Sequence, residues 1–142
     1  MKILVVCTGN SCRSQIAEGL IKNKFPDFEV FSAGTHPESN VNPYAVRVMQ
    51  EKGIDISDHY PKLVDDLLDT EFDYALTVCD SANELCPVFP NAKNRLHKSF
   101  VDPKRDNYDS EEHALKIYSQ TVQEISEWIE TCLLYTSDAA DD

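Results

Sequence analysis

The sequence predicts an α/β fold: a single three-layer domain built on a four-stranded parallel sheet flanked by helices. Three observations carry this expectation. An apolar run over residues 3–6 opens the chain and stops at Cys7. A second run, over residues 72–78, stops at Cys79. Elsewhere the apolar positions recur at helical spacing, so strands alternate with helices as βα units require.

Each element follows in order. Residues 2–6 read as a strand covered on both faces, because four consecutive branched apolar residues leave no side for water. Residues 14–24 read as a helix, with Ile16, Ala17, Leu20 and Ile21 on one face. Residues 28–32 alternate as a second strand and run into "SAGTHPESN", whose Gly, Pro, Ser and Asn mark a loop. Asn42 is placed as an N-cap with Pro43 at the first helical position. That helix turns Ala45, Val46 and Met49 inward and stops at Gly53. A turn and a short helix occupy "ISDHYPKLVDDLLDTE", and residues 72–78 form the third strand. A loop with two prolines holds Cys86, and residues 94–97 form the fourth strand. After the loop "SFVDPKRDNYDS", Asp109 and Glu112 read as a capping box for a last helix that buries Leu115, Val122, Ile125 and Ile129. The domain is expected to span residues 1–131. Residues 132–142, "CLLYTSDAADD", leave the helical pattern and resemble the translated read-through of a sequencing-library adapter. A non-native, adapter-derived tail is expected there.

Composition narrows the function classes. The chain has 142 residues, enough for one core, and a formal charge of -12 from 13 basic and 25 acidic residues. Such a balance argues against nucleic acid and anionic membranes as partners. It leaves room for a small anion, which a local nest of backbone N–H groups can hold. No apolar run reaches membrane-spanning length and no signal-peptide pattern is present, so a cytoplasmic monomer is expected. The cysteines are Cys7, Cys12, Cys79, Cys86 and Cys132. In the cytoplasm static disulfides are uncommon, which leaves metal, redox and catalytic roles. No C-x2-C pair is present, and the spacing does not favour zinc.

The stretch "CTGNSCRS", Cys7 to Ser14, sits between the first strand and the first helix. A loop there points several N–H groups inward, and the helix dipole adds partial positive charge. Thr8, Gly9, Asn10, Ser11, Cys12, Arg13 and Ser14 are thus the candidate anion-binding residues. Gly9 is expected to supply the tight backbone conformation. Arg13 can close the cradle with a two-point fork. The same field acts on Cys7: a free thiol titrates near pH 8.5, and a helix N-terminus or adjacent Arg lowers this to roughly 3.5–7.5. Cys7 is therefore the candidate nucleophile, with Ser14 as a hydroxyl donor and Asn10 as a brace. Cys12 is read as structural.

"CTGNSCRS" resembles the active-site loop of the low-molecular-weight protein tyrosine phosphatase superfamily, and within it the thioredoxin-coupled arsenate reductases. "SAG", "VNPYA", "IDISDH", "TVCDSANELCP" and "DP" extend the resemblance over most of the chain. It implies an Asp-Pro loop whose Asp102 protonates the leaving oxygen. Phosphatases of the family usually carry an aromatic residue after this proline; here Lys104 follows Pro103. It implies a relay in which Cys7 attacks arsenate, Cys79 attacks Cys7, and Cys86 attacks Cys79. The successive disulfides would be Cys7–Cys79 and Cys79–Cys86, the last reduced by thioredoxin. It also implies a potassium ion near Asn10, Glu18 and Ser32, although the two further ligand positions read Tyr60 and Lys62 in place of the usual Thr and Asp. The alternative is a phosphatase hydrolysing phosphate monoesters through a Cys7 phosphocysteine, which needs neither Cys79 nor Cys86. A non-catalytic anion-binding or redox-regulatory module would need none of Cys7, Arg13, Ser14 and Asp102 together.

Overall fold

The computed structural model describes residues 1–80, 88–104 and 107–134. Four strands, β1 (Lys2–Cys7), β2 (Glu29–Gly34), β3 (Phe72–Thr77) and β4 (Ala92–His97), form one parallel sheet in the order β2-β1-β3-β4. Three α-helices accompany them: α1 (Arg13–Lys24), α2 (Pro43–Glu51) and α3 (Glu111–Ile129). The expected fold class is the observed one.

Burial explains the strand sequences. β1 lies inside the sheet, so both of its faces are covered. Ile3, Val5 and Cys7 enter one core cluster, and Leu4 and Val6 enter the other. A central parallel strand must therefore be apolar throughout. β4 is an edge strand and reads AKNRLH, with Lys93 and Arg95 exposed. Charge on an edge discourages pairing with another chain.

All three α-helices feed the larger cluster, through Ile16 and Ile21, Ala45 and Met49, and Val122, Ile125 and Ile129. The other sheet face carries a thinner layer. There a 3-10 turn, Val64–Leu67, packs with Phe31, Phe72 and Phe89, whose rings meet edge to face at 5.5–5.6 Å.

The helix ends show where local chemistry prevailed. Asn42 caps α2 as expected, its side chain accepting from Tyr44 N at 2.9 Å with Pro43 following. At α3 the cap is Ser110 rather than Asp109. Ser110 Oγ accepts from His113 N at 3.0 Å, and His113 Nδ1 reaches back to accept from Asp109 N at 3.1 Å. The cap thus sits one residue later than expected, and the imidazole takes the N–H of the residue before that cap rather than closing a capping box.

α3 continues into a π-helical turn, Glu130–Leu134, and Leu133 is fully buried in the larger cluster. Leu133 lies four residues beyond Ile129, on the same helical face. Residues 135–142 lie outside the described residues.

Because every strand is parallel, the loops after all four leave from one rim of the sheet. β2 ends at Gly34, against the loop that follows β1. A Cβ on Gly34 would stand 2.4 Å from Thr8 O and 3.0 Å from Asn10 N, so only glycine allows that approach.

Candidate active site

Residues 8–12 link β1 to α1 and form the floor of a cavity of about 240 Å³. Cys7, Thr8, Gly9, Asn10, Ser11, Cys12 and Arg13 line it from below. His36, Glu38, Asn42, Asp102 and Lys104 line it from neighbouring loops. The expected nucleophile, cradle and acid therefore share one space.

The nucleophile is wired from below. Cys7 Sγ lies 3.0 Å from Ser14 Oγ. Lys62 N donates to Asn10 Oδ1 at 2.8 Å. A backbone N–H can only donate, so this bond fixes the Asn10 amide and turns its Nδ2 toward Ser14. Nδ2 donates to Ser14 Oγ at 2.8 Å. The hydroxyl accepts that bond and keeps its own proton for the Cys7 sulfur. Gln15 Nε2 adds bonds to Asn10 O at 3.1 Å and to Tyr60 O at 3.1 Å. Asn10 is completely buried and braces the loop as expected.

The strained position differs from the expected one. Asn10, not Gly9, adopts a left-handed backbone, with φ 49. Asn tolerates that region better than most residues, since its short side chain bonds locally. Gly9 is small for another reason: a Cβ there would stand 3.1 Å from the Glu38 carboxylate.

Arg13 opens α1 and is only 4% exposed. Its Nη1 donates to Phe100 O at 3.0 Å, and its Nη2 lies 3.7 Å from Asp102 Oδ2. The guanidinium thus holds together the nucleophile loop and the acid loop. Asp102 Oδ1 also accepts from Lys104 N at 3.0 Å. Tyr108 Oη donates to Pro103 O at 2.6 Å and secures the same turn from behind.

Cys12 is buried beneath the loop. Burial, together with the nearby Asp102 charge, pushes its thiol well above the ordinary range despite Arg13. Its thiol is therefore held neutral at the cavity floor.

Cys79 follows β3, whose end is tied to β1 by Val78 N donating to Val6 O at 3.1 Å. Cys79 is fully buried in the same cluster as Cys7 and Cys12, on the nucleophile's rim of the sheet. It is disulfide-bonded, whereas Cys7 and Cys12 are free thiols. Cys86 lies outside the described residues.

The residues suggested for potassium are adjacent but committed. Ser32 Oγ donates to Glu18 Oε1 at 2.6 Å, and Lys22 Nζ donates to Glu18 Oε2 at 2.7 Å. Burial pushes the Glu18 carboxyl up, but the bonds from Lys22 and Ser32 and the His59 and Lys22 charges outweigh it, and the net shift is downward. Asn10 Oδ1 already accepts from Lys62 N, and Lys62 Nζ donates to Tyr60 O at 2.8 Å. The oxygens are taken and ammonium groups supply the charge, so this donor set does not fit a potassium ion.

Three lining residues were not apparent from the sequence. His36 and Glu38 sit in a stretch legible only as a loop, and Lys104, the departure from the family's aromatic after Pro103, has no site role in the sequence reading. Ser11 Oγ donates to Glu38 Oε2, and Lys104 Nζ donates to Glu38 Oε1 at 2.8 Å. These bonds, from Lys104 first and then Ser11, hold the Glu38 carboxyl below the usual range.

Comparison with known proteins agrees with this geometry. The family model for low molecular weight phosphotyrosine protein phosphatase matches residues 2–136. The arsenate reductase of Halalkalibacterium halodurans is 41% identical over 131 residues, covering 91% of this chain and 92% of the relative. A solved arsenate reductase in its phosphate-binding state superposes with a TM-score of 0.78 at 26% identity, covering 94% of this chain and 97% of that one. A thioredoxin-dependent arsenate reductase of Corynebacterium glutamicum gives 0.65 at 28% identity, covering 94% of this chain and 62% of that one. With the Cys7–Ser14 loop, the buried Arg13 and the Asp102–Pro103 turn around one cavity at the rim of a parallel sheet, the chain belongs to the low molecular weight phosphotyrosine protein phosphatase family.

Proposed function

We propose that the protein reduces arsenate to arsenite through a cysteine relay that thioredoxin regenerates. One observation carries the reading beyond its family. A second cysteine, Cys79, stands on the nucleophile's rim in disulfide linkage while Cys7 is free. Ester hydrolysis has no use for it.

The cradle holds a four-oxygen anion by backbone N–H groups and the Arg13 fork. Cys7 attacks arsenic as the thiolate, with Ser14 donating to the sulfur. An arsenic–oxygen bond breaks, and the leaving hydroxide takes a proton from Asp102 and departs as water. Cys79 then attacks Cys7 Sγ. The sulfur–arsenic bond breaks with its electron pair passing to arsenic, which falls from the +5 to the +3 state and leaves as arsenite. The Cys7–Cys79 disulfide that remains is attacked at Cys79 by Cys86, which frees Cys7. A thioredoxin dithiol returns two electrons and two protons to the Cys79–Cys86 disulfide.

The same cradle should hydrolyse aryl phosphates weakly, since a phosphate ester offers the same oxygens to Arg13. This gives the test. Arsenite release is followed with thioredoxin, thioredoxin reductase and NADPH, beside aryl-phosphate hydrolysis. Cys7→Ser should abolish both. Cys79→Ser and Cys86→Ser should stop arsenate turnover and spare hydrolysis. Equal loss of both activities in these two variants would contradict the relay.

A further inference from the structure

The cavity's rim carries an ion pair that the chemistry above does not use. Glu38 comes from the loop after β2, and Lys104 from the loop after β4. Those are the two edge strands of the sheet, with β1 and β3 between them. A contact between their loops must therefore cross above the ends of β1 and β3, and the cavity that both residues line with Cys7 places it over the cradle. Lys104 Nζ and Glu38 Oε1 make that contact at 2.8 Å, and both residues line the cavity. The floor residues Cys7, Asn10 and Arg13 are buried, whereas Glu38 and Lys104 are 40% and 60% exposed, as a rim requires.

The bridge is anchored at its base. Glu38 Oε2 accepts from Ser11 Oγ of the cradle, and Glu38 N donates to Gly9 O at 2.9 Å. Lys104 is anchored through its own N–H to Asp102 Oδ1 at 3.0 Å. The pair thus ties the cradle to the acid loop over the anion's position.

We propose that the Glu38–Lys104 bridge determines specificity, admitting a free tetrahedral oxyanion and hindering an ester whose bulky leaving group must project through the mouth. The proposal rests on the oxyanion reading of the Cys7 loop. A free anion is enclosed below the bridge. An aryl phosphate places its ring where the two side chains meet, and must part them to present its phosphorus to Cys7.

The test compares two probes in the full-length protein: kcat/KM for p-nitrophenyl phosphate, and the competitive inhibition constant of inorganic phosphate. Their product reports ester discrimination, because a change in general anion affinity moves the two factors in opposite directions and cancels. Glu38→Gln keeps the shape and an acceptor for Ser11 but removes a negative charge. Lys104→Met keeps the chain length but removes a positive one. Electrostatics alone would raise affinity for both probes in the first variant, lower it in the second, and leave the product unchanged. Loss of the bridge should raise the product about fivefold in both, the upper range for one exposed ion pair. The exchange Glu38→Lys with Lys104→Glu should bring the product back toward the wild-type value. A product within twofold of wild type in either single variant would overturn the proposal. If neither wild type nor variants bind phosphate or cleave the ester, the oxyanion reading fails and takes the bridge's role with it.

Discussion

Replacing Arg13 by lysine separates two jobs that one guanidinium performs. Its Nη1 donates to Phe100 O at 3.0 Å in a buried setting, and its remaining donors face the cavity beside Asp102. An ammonium is shorter and cannot form the planar two-point fork on an oxyanion. One charge-assisted hydrogen bond to the anion is then lost, worth about 1.5–3 kcal/mol. That corresponds to about 10- to 150-fold weaker oxyanion binding. Separately, Phe100 O loses its donor, which costs about 1–3 kcal/mol of stability if no water replaces it. The two effects have different assays. Competitive inhibition by inorganic phosphate reads the first, and urea denaturation reads the second. Affinity within threefold of wild type in Arg13→Lys would refute the fork, whatever the loss of stability.

Three further outcomes follow from the same structure. Leu133→Ala should destabilise the protein by about 2–5 kcal/mol in urea denaturation, because a fully buried leucine is removed from the larger core; a loss under 0.5 kcal/mol would mean that the turn after α3 is not part of the fold. Glu18 has a carboxyl held below its ordinary value, so its stabilising bonds are intact above about pH 4.3 and are lost as the pH falls through the lowered folded-state value. The stability gap between wild type and Glu18→Gln should be full at pH 7 and close on the acid side; a gap that widens toward acid would contradict the assignment. Ser14→Ala removes the donor 3.0 Å from the Cys7 sulfur and should slow Cys7 alkylation by iodoacetamide about tenfold, the loss of about one hydrogen bond to a charged group, while an unmoved rate would show that Ser14 does not activate the sulfur.

The parts legible in the sequence are those whose causes are local. β1 could be read because a strand covered on both faces must be apolar at every position. The span from Cys7 to Ser14 could be read because one loop's backbone sets the relation of its sulfur, its N–H groups and its arginine. Asn42 could be read because capping depends on the next two residues. The errors share the opposite property. Gly9 was credited with the special backbone conformation on propensity alone, yet Asn10 takes it. The reason is tertiary: Asn10 is held by Lys62 N, 52 residues away. Leu133 falls in the segment assigned to a tail because it leaves the helical pattern, yet it lies on the buried face that α3 continues. Glu38 and Lys104 are 66 residues apart, and only the strand order brings them together. No spacing rule reports a contact made above the sheet by loops from its two edges.

Charge poses a last question: how a chain of formal charge -12 holds a dianion at all. Near the site each carboxylate has a cation of its own. Asp102 faces Arg13 at 3.7 Å, Glu38 faces Lys104 at 2.8 Å, and Glu18 faces Lys22 at 2.7 Å. At contact range these pairs cancel, which leaves the inward N–H groups and the Arg13 guanidinium fork to set the local potential. The excess acid acts only at a distance, where it repels the incoming substrate, and salt screens that repulsion beyond about 10 Å at 0.1 M. Raising sodium chloride from 10 to 100 mM should therefore increase kcat/KM for arsenate by about threefold while leaving kcat unchanged, since distant charge affects arrival and not the chemical steps. A kcat/KM that falls over this range would show that the site draws its substrate by long-range attraction, and the local cancellation argued from these three pairs would be wrong.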